Sequence, residues 1–98
     1  SPRGMTAKTR DVPGRVARLL LDRAEGEPPR VERAPTHEVI AQMIGASRET
    51  VSRAMKELQD AGLVRAERRI VTVLDAAGLA RRAAPGAGAR AARAERAE

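Results

Sequence analysis

The sequence contains no phenylalanine, tyrosine or tryptophan in 98 residues. Its core must therefore be built from Val, Ile, Leu, Met and Ala, which make a small core. We expect a single domain of modest stability that gains from a neighbouring domain or partner. The same absence argues against single-strand and RNA-binding folds, because these stack bases on aromatic rings and only His37 offers a ring here.

The composition also argues against most kinds of catalytic, metal-binding and cofactor-binding site. There is no cysteine, which excludes disulfides, thiolate metal sites and cysteine nucleophiles. The one histidine, His37, lacks the paired carboxylates or cysteines of a metal site, and we expect it to be a neutral surface residue. The sequence shows no nucleophile–base pair and no phosphate-cradling glycine loop. We predict a chain that is not an enzyme and that binds no metal and no cofactor of its own.

The net charge of +6 and the pI near 11.3 favour a polyanionic partner. The alternative is a GC-rich genome that has enriched arginine, which supplies 17 of the 19 basic residues. Charge alone leaves both explanations open, so the positions of the charges must decide. No apolar run of about 18 residues and no signal peptide is visible, and we expect a cytoplasmic protein without a membrane partner.

Helix and strand signals predict a mainly α fold with a small β-hairpin wing, a winged helix-turn-helix. Asp11 as N-cap and apolar residues at helical spacing predict a first helix over about 11–25. Thr36 and Ser47 are the expected N-caps of two further helices, and Gly45 suits the left-handed position between them. Extended segments are predicted at Val31–Ala34, Leu63–Ala66 and Ile70–Leu74, the last two joined by a basic tip.

The third helix has two distinct faces. At 100° per residue its apolar residues fall within a sector of about 120° and are expected to pack inward. The outward sector carries arginine, which can donate two hydrogen bonds to guanine, and glutamate, which can accept one from cytosine. A solvated amphipathic face is the alternative, but the preceding short helix, glycine turn and basic hairpin favour DNA. The inward residues are Val51, Ala54, Met55, Leu58 and Ala61, with Met43 of the second helix also assigned to the core; the outward residues are Arg48, Glu49, Ser52, Arg53, Lys56 and Gln59.

The run THEVIAQMIGASRETVSR at 36–53 closely resembles the helix-turn-helix of the cyclic AMP receptor protein (Crp/Fnr) family of bacterial transcription regulators. The resemblance covers about 11–75, and SRETVSR at 47–53 is its specific part. It implies sequence-specific binding of double-stranded DNA, with recognition helix 47–61 in the major groove of a TGTGA-like half-site. It implies base contacts by Arg48, Glu49, Ser52 and Arg53, and phosphate contacts by Thr36, Ser47, Thr50, Lys56, Arg68 and Arg69.

The family pattern leaves the outer bases of the half-site open. One branch combines a residue like Arg48 with a glycine at position 52, and another combines an apolar residue with a serine like Ser52. This chain carries both Arg48 and Ser52. The competing hypotheses for the whole surface are a winged-helix protein–protein interaction module and the DNA-binding domain of another winged-helix regulator family.

The family's N-terminal sensor and long dimerisation helix do not fit into ten residues, so we expect an excised domain whose effector binds elsewhere. The resemblance implies a homodimer in the full-length protein, a monomeric isolated domain, and RNA polymerase as a further partner. The segments are then an N-terminal remnant or the end of the dimerisation helix (1–10), the winged helix-turn-helix DNA-binding domain (11–75) and a largely disordered Ala/Arg-rich tail (76–98), with a helical turn or two at 75–84. The tail is interpreted either as an electrostatic clamp on DNA or as an inert extension.

Overall fold

The computed structural model describes residues 11–83, which form four helices and a three-stranded antiparallel sheet. This arrangement confirms the predicted winged helix-turn-helix. None of these helices is long and apolar enough to cross a membrane. The expectations for residues 1–10 and 84–98 fall outside the described part of the chain. In chain order the elements are α1 (Val12–Arg23), β1 (Arg30–Val31), α2 (His37–Ile44), α3 (Arg48–Asp60), β2 (Val64–Glu67), β3 (Ile70–Val73) and α4 (Ala76–Ala83).

The core is aliphatic, as the composition requires. Val16 and Leu20 of α1, Val51 and Leu58 of α3, and Leu79 of α4 are almost completely buried. Within residues 11–83 no polar or charged side chain is buried. Burial of apolar surface is therefore the main stabilising contribution, at roughly 1.5–3 kcal/mol for each large aliphatic side chain.

The helix-turn-helix is held by the predicted caps. Thr36 Oγ1 accepts a hydrogen bond from the N–H of Val39 at 3.2 Å, and Ser47 Oγ accepts one from the N–H of Thr50 at 3.2 Å. Gly45 ends α2 with φ of 73°, in the left-handed region that favours glycine. These local bonds set where α2 stops and α3 starts, and hence the direction in which the outer face of α3 points.

Two apolar residues expected in the core are exposed instead. Met43 of α2 is 45% exposed, because this eight-residue helix buries only the narrow stripe formed by Ile40, Ala41 and Ile44. Ala61 is exposed because it is the C-cap residue, one position beyond the end of α3. Both residues lie at the C-terminal end of a helix, where a periodic pattern overstates burial.

The sheet has the order β1–β3–β2, with β3 in the middle. The β2–β3 hairpin pairs Glu67 with Ile70, so only Arg68 and Arg69 form its turn. Their φ angles of 47° and 66° correspond to the primed turn that suits a two-residue hairpin. Of the extended stretch predicted at 31–34, only Val31 lies in a strand: β1 is Arg30–Val31, and the chain turns at Glu32 and Arg33, where Arg33 has a φ of 54°. Strand β1 adds a third strand to the wing.

Helix α4 confirms one expectation for the segment after residue 75 and corrects another. It is packed on α1, and Leu79 is fully buried. Asp75 Oδ1 accepts a hydrogen bond from the N–H of Gly78 at 2.9 Å at its start. The helical turn or two expected at 75–84 is therefore present as α4, but residues 76–83 belong to the packed domain and not to the tail.

Arg82 connects α4 to two other parts of the domain. Its guanidinium donates hydrogen bonds to Glu57 Oε2 at 2.7 Å and to Asp11 Oδ1 at 3.1 Å. The hydrogen bond to Glu57 is the largest cause that raises the pKa of Arg82 above its ordinary value. Asp11 stands at the N-cap position of α1, but its carboxylate makes no capping bond and contacts Arg82 instead.

Candidate nucleic-acid interface

The outer face of α3 presents the four predicted base-contacting residues together. Arg48, Glu49, Ser52 and Arg53 are all exposed, and the buried residues of the same helix lie on its opposite face. Within residues 11–83, none of the three charged members makes a salt bridge. Their hydrogen-bonding groups are thus available to an external partner, at no cost in internal contacts.

Ser52 makes one contact that the sequence did not predict. Its hydroxyl lies 2.8 Å from His37 Nδ1, across the gap between α2 and α3. His37 is the first residue of α2 and is half-buried. It was expected to be an inert surface residue, and the structure instead connects it to the face of α3. The two residues are 15 positions apart, so no local sequence pattern could have paired them.

The hydroxyls predicted to contact phosphates have internal partners but keep donor capacity. Thr36 Oγ1 accepts from a backbone N–H, which leaves its own proton free to be donated. Ser47 Oγ and Thr50 Oγ1 lie 2.7 Å apart, and one of them donates to the other. The second hydroxyl of this pair therefore retains a proton for an outside acceptor such as a phosphate oxygen.

Lys56 is predicted as a phosphate contact and has an intramolecular partner. Its Nζ lies 3.1 Å from Asp60 Oδ2, one helical turn further along α3. Both side chains are strongly exposed, at 77% and 64%, so water screens the pair and it holds Lys56 only weakly. A nearby phosphate could compete with Asp60 for this ammonium group.

The two wing arginines have different roles in the structure. Arg68 is exposed at the tip of the hairpin. Arg69 donates from Nε and Nη2 to the carbonyl oxygen of Ala34, at 3.2 and 3.0 Å, and so fastens the wing to the segment that leads into α2. Arg33 lines the same cleft as Arg68 and Arg69 and was not singled out from the sequence, because its neighbours there come from a distant hairpin.

The match to a known family covers this whole surface. Residues 14–82 match the model of the Crp-like helix-turn-helix domain. The chain belongs to this family. As a Crp-type domain it is a DNA-binding module of a transcription regulator, not an enzyme. The match extends to residue 82 and so includes α4 as part of the domain.

Relatives of the Crp-type domain support the same assignment. A CRP-like cAMP-activated global transcriptional regulator of Mycobacterium tuberculosis is 47% identical over 79 residues, covering 74% of this chain and 35% of the relative. A CRP-family transcriptional regulator from Thermus thermophilus has a TM-score of 0.63 at 33% identity, covering 74% of this chain and 40% of that one. For DNR from Pseudomonas aeruginosa the TM-score is 0.66 at 32% identity, with coverage of 76% and 34%. The chain spans 35% of the length of the mycobacterial relative, about a third.

Proposed function

We propose that this domain reads a specific DNA sequence by placing α3 in the major groove, as the DNA-reading part of a Crp/Fnr-type transcription regulator. The observation that carries the proposal is the outer face of α3, where Arg48, Glu49 and Arg53 are exposed and make no salt bridge within residues 11–83. Charged side chains that are exposed on one face of a helix and form no salt bridge are well suited to hydrogen bonding with base edges.

The side chains on this face define a base preference. Arg48 and Arg53 each carry a planar guanidinium that can donate two parallel hydrogen bonds to O6 and N7 of guanine. Glu49 can accept from N4 of cytosine. A TGTGA-like half-site contains two G·C pairs, which offer guanines to the two arginines and, on the opposite strand, a cytosine to Glu49.

Phosphate contacts would hold α3 in register. Thr36, Ser47 and Thr50 lie at the N-terminal ends of α2 and α3, where the free backbone N–H groups also favour an anion. Arg68 at the wing tip and Lys56 on α3 are also exposed and add positive charge to the domain surface. Arg69 would contribute its positive charge while its guanidinium stays bonded to Ala34.

A Crp-type regulator acts on a palindrome, and we propose that the intact protein is a homodimer. Two copies of α3 would then enter successive major grooves roughly 34 Å apart, whereas the isolated domain meets a single half-site and binds more weakly. RNA polymerase is the proposed protein partner of the full-length regulator. Because the chromosome is the target, the proposed location is the bacterial cytoplasm.

The test is the double substitution Glu49→Ala with Arg53→Ala, measured by selection from a library of duplexes and by titration of the selected sequence. The 98-residue chain should select a sequence, and the double variant should lose the preference at the base pairs these residues read. The matched control is Arg18→Ala with Asp22→Ala, which also removes an oppositely charged pair one helical turn apart, on exposed α1 positions. An unchanged sequence preference in the first variant would refute direct reading by α3.

A further inference from the structure

The contact between His37 and Ser52 joins the two helices of the helix-turn-helix at the candidate DNA surface. Ser52 Oγ and His37 Nδ1 lie 2.8 Å apart, and Ser52 is exposed between Glu49 and Arg53 on the outer face of α3. When a serine contacts a base while hydrogen-bonded to a second side chain, its hydroxyl proton cannot turn freely toward the base. Whether the hydroxyl can donate to the base or only accept from it depends on whether His37 Nδ1 is the acceptor or the donor of the shared hydrogen bond.

A hydroxyl has one proton and two lone pairs. If His37 Nδ1 is the acceptor, Ser52 donates its proton to the ring and offers only lone pairs to DNA. If Nδ1 carries a proton, Ser52 accepts from the ring, and its own proton is free for a base. The first state suits a base with a donor in the major groove, N6 of adenine or N4 of cytosine; the second suits O4 of thymine, O6 and N7 of guanine, or N7 of adenine.

The surroundings of His37 favour the first state when DNA is bound. Its ring lines a cleft between α2 and the wing that Glu67, Arg68 and Arg69 also line. His37 directly follows the N-cap Thr36, at the end of α2 where the first-turn N–H groups attract an anion. A phosphate here can only accept, and within residues 11–83 the ring's hydrogen bond is made through Nδ1. In the tautomer that carries its proton on Nε2, this nitrogen donates to the phosphate and Nδ1 accepts from Ser52.

We infer that His37 is a positioning residue for base reading: through its ring, a phosphate contact sets the Ser52 hydroxyl as an acceptor that selects adenine or cytosine. The hydrogen bonds run in one direction, from the base amino group to Ser52, from Ser52 to Nδ1, and from Nε2 to the phosphate. This inference rests on the proposed function, since it requires α3 to lie in the major groove. It also assigns a base preference to Ser52, which the family pattern left open because this chain carries both Arg48 and Ser52.

The experiment is a set of selections with the 98-residue chain from duplexes carrying about 10 randomised base pairs, one helical turn. The proteins are the native chain, Ser52→Ala, His37→Leu, the double variant and His37→Asn, which keeps a hydrogen-bonding atom at the δ position. Circular dichroism establishes that each variant is folded. The measured quantity is the preference for each base at every position of the selected half-site.

We expect one position to favour adenine or cytosine in a way that depends on Ser52; where the base is adenine, its replacement by 7-deazaadenine, which lacks the N7 acceptor, should leave the preference unchanged. Ser52→Ala and His37→Leu should each weaken that preference, roughly 3- to 10-fold, the worth of one hydrogen bond. In the Ser52→Ala background, His37→Leu should change this position no further, and His37→Asn should retain part of the preference. A merely structural role of His37 would instead lower binding at all positions alike and add to the effect of Ser52→Ala.

Additive effects of the two substitutions would overturn the inference, and so would a Ser52-dependent preference for thymine or guanine. So would the absence of any Ser52-dependent position, while the positions read by Glu49 and Arg53 remain selective; the proposed function survives all three outcomes. A native chain that selects no sequence at all would refute the proposed function itself.

Discussion

The first half of α3, Arg48–Arg53, and the second half, Ala54–Asp60, differ in whether their charged side chains form salt bridges. In the first half Arg48, Glu49 and Arg53 make no salt bridge within residues 11–83, whereas Glu57 in the second half is bound by Arg82 at 2.7 Å. Both halves bury apolar residues on the inner face, so packing does not distinguish them. The difference supports the proposal that the charges of the first half serve a partner, whereas Glu57 in the second half contributes to holding α3 and α4 together.

The largest effect that would test this division is on DNA binding by Arg53→Ala. The substitution should weaken binding of the selected duplex roughly 10- to 100-fold, the worth of one bidentate base contact. Since no salt bridge is lost, the free energy of unfolding should change by less than about 0.5 kcal/mol. Titration of the duplex and thermal unfolding followed by circular dichroism measure the two quantities. A clear loss of stability with unchanged affinity would show that Arg53 serves the fold.

Arg82→Met should give the reverse result. It removes the hydrogen bonds to Glu57 and Asp11 but keeps a long apolar side chain against the domain. Because the side chains of Arg82 and Glu57 are 36% and 53% exposed, water screens the pair, and we expect a loss of only about 1 kcal/mol in stability. DNA affinity of the folded variant should stay within about twofold of the native value, since no proposed DNA contact is removed. A larger loss of affinity would mean that the second half also contributes to binding.

The wing arginines provide a third comparison. Arg69→Ala removes both hydrogen bonds to the carbonyl oxygen of Ala34, and we expect a loss of about 0.5–1 kcal/mol in stability. Arg68→Ala should leave stability unchanged and, if Arg68 contacts a phosphate, lower the slope of log affinity against log salt by about 0.9. Equal stabilities of the two variants would contradict the anchoring role of Arg69.

The parts of the fold that could be predicted are those with short-range causes. The caps Thr36 and Ser47 and the turn at Gly45 depend on the residues beside them, and their capping bonds and φ angle are as expected. The helical turns of α4 were expected, but their packing into the domain was missed because 76–83 is an Ala- and Arg-rich stretch that was assigned to the tail. Its order depends on Leu79 reaching a core that is formed by distant segments.

The candidate site shows the same limit. The outer face of α3 follows from helical periodicity alone, which brings Arg48, Glu49, Ser52 and Arg53 together. The bond from Ser52 to His37 spans 15 residues, and the bond from Arg69 to Ala34 spans 35. Whether a polar side chain is free or already bonded at such distances is decided by tertiary packing, which periodicity does not describe.

Lys56 lies near the boundary between the two halves of α3, and its substitutions should have the smallest effects. In the free domain Lys56 is paired with Asp60 and so resembles Glu57, which is also in a salt bridge. Both Lys56 and Asp60 are strongly exposed, however, and their pair is therefore weak. If a phosphate takes Lys56 from Asp60, Lys56→Gln should lower the salt slope by about 0.9, with little change in stability. Asp60→Asn removes the competitor, so it should raise DNA affinity slightly while leaving the phosphate contact in place. Unchanged slope and affinity in both variants would assign Lys56 to the half of the helix that holds the domain together, and the DNA-reading half would then end at Arg53.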